Sequence, residues 1–296
     1  MSIDETWKYS YADNIEAQLA HEGSQLRAHV RVDTPAKSEG YRPQMVMGNA
    51  ESTERTTKYE KKDPTELDFT GRWIVPRDWD VGPYFEDNID RVRNGIDVTG
   101  AYTMESAEAI RRRHDRLLGD AFFASAKTGK NGTGTDATFD TTNMRVAHGS
   151  TGMSVAKLIT ARTKLKKQHV NLKRETPRIA FTEQEYEDLM NDILATSREF
   201  TGRTVLDTGE MEKYVGFTFV EFSSEFWTYT SEAGVTRCPF WVPSGILLAD
   251  WGMMEAPTIR RATEYRGEPW EVYAQFKASA TRLFENKVGE ILAQQS

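Results

Sequence analysis

The chain has 296 residues, 38% of them hydrophobic and 11% aromatic, enough for roughly two domains or one elaborate one. Its 45 acidic against 38 basic residues give a net charge of −7, which speaks against a protein whose main task is to coat nucleic acid. The aromatics argue against wholesale disorder, and the single Cys238 excludes an internal disulfide or a multi-cysteine zinc site. No apolar run reaches the ~18 residues of a membrane-spanning helix; the best, Gly245 to Met254, is broken by Asp250. Met1-Ser-Ile-Asp-Glu5 has neither the basic start nor the apolar stretch of a secretory signal, so cytoplasmic folding is expected.

Residues 1–32 read as an arm with a short helix, whose Ile15, Leu19 and Leu26 are too sparse to form a core and must borrow apolar surface elsewhere. Residues 33–80 read as a long β-hairpin, with strand-like pieces near 41–48 and 69–79 flanking a charge-dense tip from Glu51 to Asp68. A protrusion of that length cannot bury itself and points to a partner. Residues 103–126 are the best helix: Thr103 can cap it, and Met104, Ala107, Ile110, Leu117, Leu118, Ala121 and Phe122 recur at helical spacing. At 1.5 Å per residue it is about 36 Å long. A Gly/Thr loop, Thr128 to Asp136, follows and must lie on the surface.

Residues 152–265 read as an α/β unit. Val155, Leu158, Ile159 and Leu165 mark an amphipathic helix. Ile179-Ala-Phe181 leads into the capping box Thr182-x-x-Glu185, followed by the stripe Tyr186, Leu189, Met190, Ile193 and Leu194. Strands are expected at Phe217 to Phe222, at Gly245 to Ala249, and at Trp270 to Lys277, where apolar and polar residues alternate.

Catalytic signatures are missing. Gly129-Lys130 lacks the glycine and the Ser/Thr of a phosphate loop. The five histidines have no metal-ligand spacing, and His114 reads as a packing residue. No Gly-x-Ser-x-Gly occurs, and Cys238 reads as a small buried residue. No enzyme activity, metal or cofactor is therefore expected. The strong charge feature is a basic stretch, Lys157 to Arg174, containing Arg162, Lys164, Lys166 and Lys167 and no acid. An acidic stretch with Glu183, Glu187 and Asp188 follows directly. Phosphate contact is one reading, though stacking aromatics are absent; a solvated face is another. Opposite blocks on neighbouring copies, meeting edge to edge, account most simply for both.

Several segments resemble the major capsid proteins of tailed bacteriophages with the Hong Kong 97-like fold. Asp13 to Arg27 (Asp-Asn-Ile-Glu-Ala-Gln-Leu-Ala-His-Glu-Gly-Ser-Gln-Leu-Arg) resembles the N-terminal arm of one subfamily. Asp78-Trp-Asp80 before Asp87, then Met104 to Thr128, resembles the hairpin exit and spine helix. Gly209 to Phe219 and Ala280 to Val288 resemble later strands. The similarities are diffuse, and their collinearity along the chain is the specific part.

The resemblance implies an α+β capsid fold: arm 1–32, extended loop 33–80, peripheral domain 81–148 around spine helix 103–126, axial domain 149–265, and a return to the peripheral domain over 266–296. It also implies self-association into hexamers and pentamers of a shell, assembled in the host cytoplasm around double-stranded DNA that is touched weakly. A portal and a separate scaffolding protein are expected partners, and a decoration protein is left open. Subunit contacts are expected at Lys58, Lys61 and Lys62 of the loop and at Arg162, Lys164, Lys166, Lys167, Glu183, Glu187 and Asp188. Nothing singles out one loop lysine for the covalent cross-link of the fold's namesake. An encapsulin-like compartment is the second reading, and a coincidental order of elements in an enzyme or nucleic-acid-binding protein the third.

Overall fold

A computed structural model of the chain describes residues 24–35, 43–47, 54, 58, 68–87, 99–192 and 213–295. The expected arm helix, most of the hairpin tip, Ile193 and Leu194 lie outside the described residues. Two sheets and one long helix organise the rest. The first sheet has the strand order β1 (Arg31–Asp33), β11 (Ile246–Arg261), β12 (Trp270–Arg282), β4 (Asp78–Glu86). β1 runs parallel to β11, with Arg31 beside Leu247, and the other pairs are antiparallel. The second sheet is seven-stranded: β5 (Arg145–Val146), β13 (Val288–Gln294), β10 (Val235–Trp241), β6 (Arg178–Thr182), β8 (Phe217–Phe222), β7 (Lys213–Tyr214), with β9 (Thr230–Glu232) beside β10. The base of the expected hairpin is present as β2 (Gln44–Met47) paired antiparallel with β3 (Asp68–Gly71).

The long helix α1 spans Thr99–Phe123. It starts a turn before the expected cap, so Thr103 lies inside it and does not cap it. It also stops three residues early, because Ala126 turns extended and pairs with Ala137. Ile110, Leu117, Leu118, Ala121 and Phe122 are buried as the periodicity requires, whereas Met104 is 56% exposed. Ile110 and Leu117 pack on Val81, Ala274, Phe276 and Ala278 of the first sheet. Leu118 and Phe122 join Leu26, Val30, Trp241, Ile246 and Val288 in a cluster that ties both sheets together, while Ile15 and Leu19 lie outside the described residues.

In the second unit, α2 (Val155–Lys167) and α3 (Glu183–Asn191) close a core around Leu158, Leu165, Leu189, Phe181, Phe217, Phe240 and Ile291. The capping box at Thr182 and Glu185 forms as expected. Ile159 does not join this core; it is 52% exposed.

Strand pairing departs from the chain order in three places. β11, expected with 149–265, runs far past Ala249 and belongs to the first sheet, because β12 offers it an antiparallel partner down to Arg261. β13, expected to return with 266–296 to the spine-helix unit, joins the second sheet between β10 and β5. The hairpin ends at Gly71, and Asp78, Trp79 and Asp80 already belong to β4, so the boundary expected at residue 80 falls inside a strand.

Candidate functional site

The oppositely charged helices α2 and α3 touch within one chain. Asp188 accepts a hydrogen bond from the backbone N–H of Met153 at 3.2 Å, and Asp192 accepts one from Val155 at 3.1 Å. Asp192 thus meets the first N–H of α2, where the helix dipole favours negative charge, and Asp188 the N–H just ahead of the cap. Lys157 is buried and not an edge charge; its Nζ donates to the carbonyls of Thr151, Gly152 and Leu292 at 2.7, 2.7 and 3.1 Å. Burial lowers its pKa, and the Asp188 carboxylate counters part of that effect.

Several other expected contact residues are also engaged inside the chain. Arg162 donates to the Val215 carbonyl at 2.5 Å. Gly216, at φ 78°, makes that approach feasible, since a Cβ there would come within 2.6 Å of the guanidinium Nη1. Lys164 donates to the Asn143 carbonyl at 2.8 Å. Glu183 accepts from the Ser224 backbone N–H at 2.9 Å and from its hydroxyl at 2.5 Å, and the hydroxyl bond lowers the carboxyl's pKa.

Lys166, Lys167 and Glu187 are different. All three are exposed, and none makes a side-chain hydrogen bond or ion pair among the described residues. Lys58 is exposed on a turn, while Lys61 and Lys62 lie outside the described residues. The charge blocks therefore separate into residues that hold the α2 and α3 region together and a small remainder that faces out.

A second set of charges was hidden from sequence reasoning because it lies at the junction of the sheets. Arg282 is fully buried. Its Nη1 donates to the carbonyls of Phe122 and Ala124 at 2.9 and 3.0 Å, its Nη2 to Ala137 at 3.2 Å, and its Nε lies 3.6 Å from Glu285. A cation at the last carbonyls of α1 both satisfies them and opposes the helix dipole. Glu285 also takes buried Arg72, at 2.5 Å, from the stretch between β3 and β4.

Glu290 of β13, fully buried, is held by Arg145 at 2.5 Å and Arg237 at 2.6 Å. Arg237 also lies 3.8 Å from the ring of Phe123 at the end of α1. Asp115, buried in mid-helix, accepts from the Ser24 hydroxyl at 2.6 Å and from the N–H groups of Gln25 and Leu26 at 2.9 and 3.0 Å. Arg27 then pairs with Asp250 at 2.8 Å and lies 3.4 Å from Nδ1 of His114. Parity offered one signal: the alternation Val272, Ala274, Phe276, Ala278 continues to Arg282 on the inward side of β12.

The remaining chemistry is quiet. Cys238 is buried, and burial pushes its thiol pKa well up. His114 packs edge-on against Phe276 at 5.4 Å. Among the described residues, no group of three or more His, Cys, Asp or Glu could hold a metal ion, and no helix is long and apolar enough to cross a membrane. What the described residues offer is a two-sheet body with paired charges inside and Lys166, Lys167 and Glu187 facing out.

Comparison with known proteins covers the whole chain. The family model described as phage capsid protein matches residues 3–295. No curated protein sequence matches significantly. Among solved structures, a chain from Mycobacterium phage Che8 superposes with a TM-score of 0.67 at 14% identity, covering 96% of each chain. A chain of the capsid of cyanophage P-SCSP1u gives 0.71 at 13% identity over 100% of this chain and 95% of that one. A chain of the acid-stable capsid of Helicobacter pylori bacteriophage KHP30 gives 0.71 at 12%, covering 100% and 98%.

Proposed function

Because the chain belongs to the phage capsid protein family, we propose that it is the major shell subunit of a tailed double-stranded DNA bacteriophage, associating into hexamers and pentamers of an icosahedral wall around the genome. The observation that carries this reading is the family match over residues 3–295, which leaves no described element of either sheet outside the capsid pattern. The structure supports it physically. A wall subunit needs a closely packed body, and here Arg282 on the Phe122 carbonyl, Arg237 on the Phe123 ring and a shared apolar cluster couple α1 to both sheets. Head-to-tail contacts between such copies form rings when the rotation between neighbours closes.

Lys166 and Lys167 are the residues we assign to the positive side of one such contact, and Glu187 to the facing side of the next copy. Surface charges of this kind guide association more than they stabilise it. Reversing both lysines to glutamate should slow assembly most at low salt, where screening is weakest. Shells forming at an unchanged rate across the salt range would remove these lysines from the interface. The function itself is tested by electron microscopy of the chain expressed in bacteria with its candidate scaffolding partner. Closed shells that package or exclude DNA are the expected product. A monodisperse monomer under those conditions would overturn the reading, and shells filled with a protein cargo would favour the compartment alternative.

A further inference from the structure

A pocket of about 300 Å³ opens between α1 and β4, apart from the charged faces of α2 and α3. Val81, Ala109 and Phe276 supply apolar lining, Trp79 adds an aromatic ring, and Arg112, Arg113 and Arg116 of α1 supply the charge. The arginines are unevenly satisfied. Arg112 gives Nη2 to Glu105, but its Nη1 is buried with no hydrogen-bond partner among the described residues. Arg113 lies over the Trp79 ring at 4.1 Å, a stacking that leaves the donor edge of its guanidinium unspent. Arg116 sits 5.4 Å from the Phe226 ring, and neither it nor Arg113 meets a carboxylate among the described residues. The one acid lining the pocket, Asp80, is already engaged by the Tyr273 hydroxyl at 2.8 Å.

With Arg112 paired to Glu105, the pocket still sets Arg113 and Arg116 against the single carboxylate of Asp80, an excess of positive charge that an anion balances. We propose that this pocket takes the carboxylate of a glutamate or aspartate borne on a partly apolar peptide segment of another protein chain. Charge complementarity selects the anion, and a planar carboxylate suits the fork of an arginine. The apolar lining selects the carrier: it accommodates the methylene stem of the acid and an adjacent apolar side chain. A DNA duplex fits poorly, because its phosphates ride on a convex backbone and cannot follow a side chain into a recess lined by Val81 and Phe276. Trp79, covered by Arg113, is likewise not available as a stacking platform for a base. The inference stands on the pocket itself, whatever assembly the chain enters.

Fluorescence anisotropy of the full-length chain tests it, with a fluorescein-labelled peptide of alternating glutamate and leucine as probe. Saturable binding is expected, weakened at least about tenfold when glutamine replaces the peptide's glutamates and similarly by Arg113→Gln. Arg116→Gln, on an exposed side chain, should weaken binding while leaving the fold intact, so the test survives if Arg113→Gln unfolds. Equal binding of the glutamine peptide would show mere apolar adhesion and overturn the proposal, as would equal binding by both arginine variants. Displacement of the peptide by a short DNA duplex, but not by an acidic competitor peptide, would reassign the pocket to phosphate.

Discussion

In the seven-stranded sheet, α2 and α3 press Leu158, Leu165 and Leu189 onto Phe181, Phe217, Phe240 and Ile291, with buried Lys157, Glu185 and Glu290 each paired within the same unit. The four-stranded sheet is covered differently. α1 packs a smaller set, Ile110 and Leu117 on Val81, Ala274, Phe276 and Ala278, along part of its length. The distal end of the sheet leaves Phe85, Ile259 and Tyr265 40, 47 and 56% exposed. Arg282, Glu285 and Arg72 lie where the end of β12 meets α1, beside the apolar cluster that ties the two sheets together. One unit is therefore held by burial of apolar surface, and the join to the other adds a buried charge network to its apolar cluster. Breaking a charged join and thinning an apolar core should leave different marks.

The largest effect is expected at the join. Arg282→Met keeps bulk but leaves the carbonyls of Phe122 and Ala124 without their donor, while Ala137 keeps the Ala126 N–H. Removing one partner of a buried charge network costs about 3–5 kcal/mol, so the urea midpoint should drop sharply. Because Arg72 also serves Glu285, the cost should be less than additive with Glu285→Gln. A loss below about 0.5 kcal/mol, the size of an ordinary surface change, would show that the network does not bear the join.

Next comes the apolar unit. Leu158 is fully buried beneath α2, and Leu158→Ala should cost about 2–5 kcal/mol through lost transfer energy and the cavity left behind. The pattern should differ from Arg282→Met in hydrogen exchange: Leu158→Ala loosens β6, β8 and β10, while Arg282→Met loosens the end of α1 first.

The apolar unit was also the more legible in sequence. Thr182 and Glu185 announced α3, and the periodicity placed Leu158 and Leu189 inward, because capping and amphipathic spacing are local properties. The join was not legible. Arg282 reaches Phe122 across 160 positions, and parity could point it inward without naming its acceptors. Strand ownership failed for the same reason: β11 and β13 are neighbours of β12 in sequence, yet only pairing partners decide that one shares its sheet and the other leaves it. Among the candidate site residues, the charge blocks nominated Lys166, Lys167 and Glu187, which face outward, together with residues that do not. It could not foresee that Arg162, Lys164, Glu183 and Asp188 are taken up by the backbone of Val215, Asn143, Ser224 and Met153.

Acid should expose the join before it reaches the apolar unit. His114 and His29 both have pKa values lowered from 6.5, chiefly by burial; on His114 the Asp250 carboxylate opposes the shift more than Arg27 adds to it, and on His29 Arg178 adds to it. In each case the unfolded state takes up a proton more readily than the folded one. Their contribution to stability is therefore complete above 6.5 and declines as the pH falls below it. His114→Gln should flatten that decline while His29 retains part of it, measured as urea midpoints between pH 5 and pH 7.5. An unchanged slope would remove His114 from the acid response.

The smallest effect is expected at the open end of the four-stranded sheet. Ile259→Ser and Tyr265→Ser alter side chains that are about half in water, and Tyr265 has the Phe85 ring, 5.0 Å away, as its ring contact. Each should change the stability of the isolated chain by no more than about 0.5 kcal/mol, the range of ordinary surface substitutions. The same change at Leu158 would bury a hydroxyl in an apolar core. A large loss at Ile259 would mean that this end carries core weight of its own, and the contrast between a closed unit and an open one would fail. A negligible loss leaves apolar surface that folding of the single chain does not use.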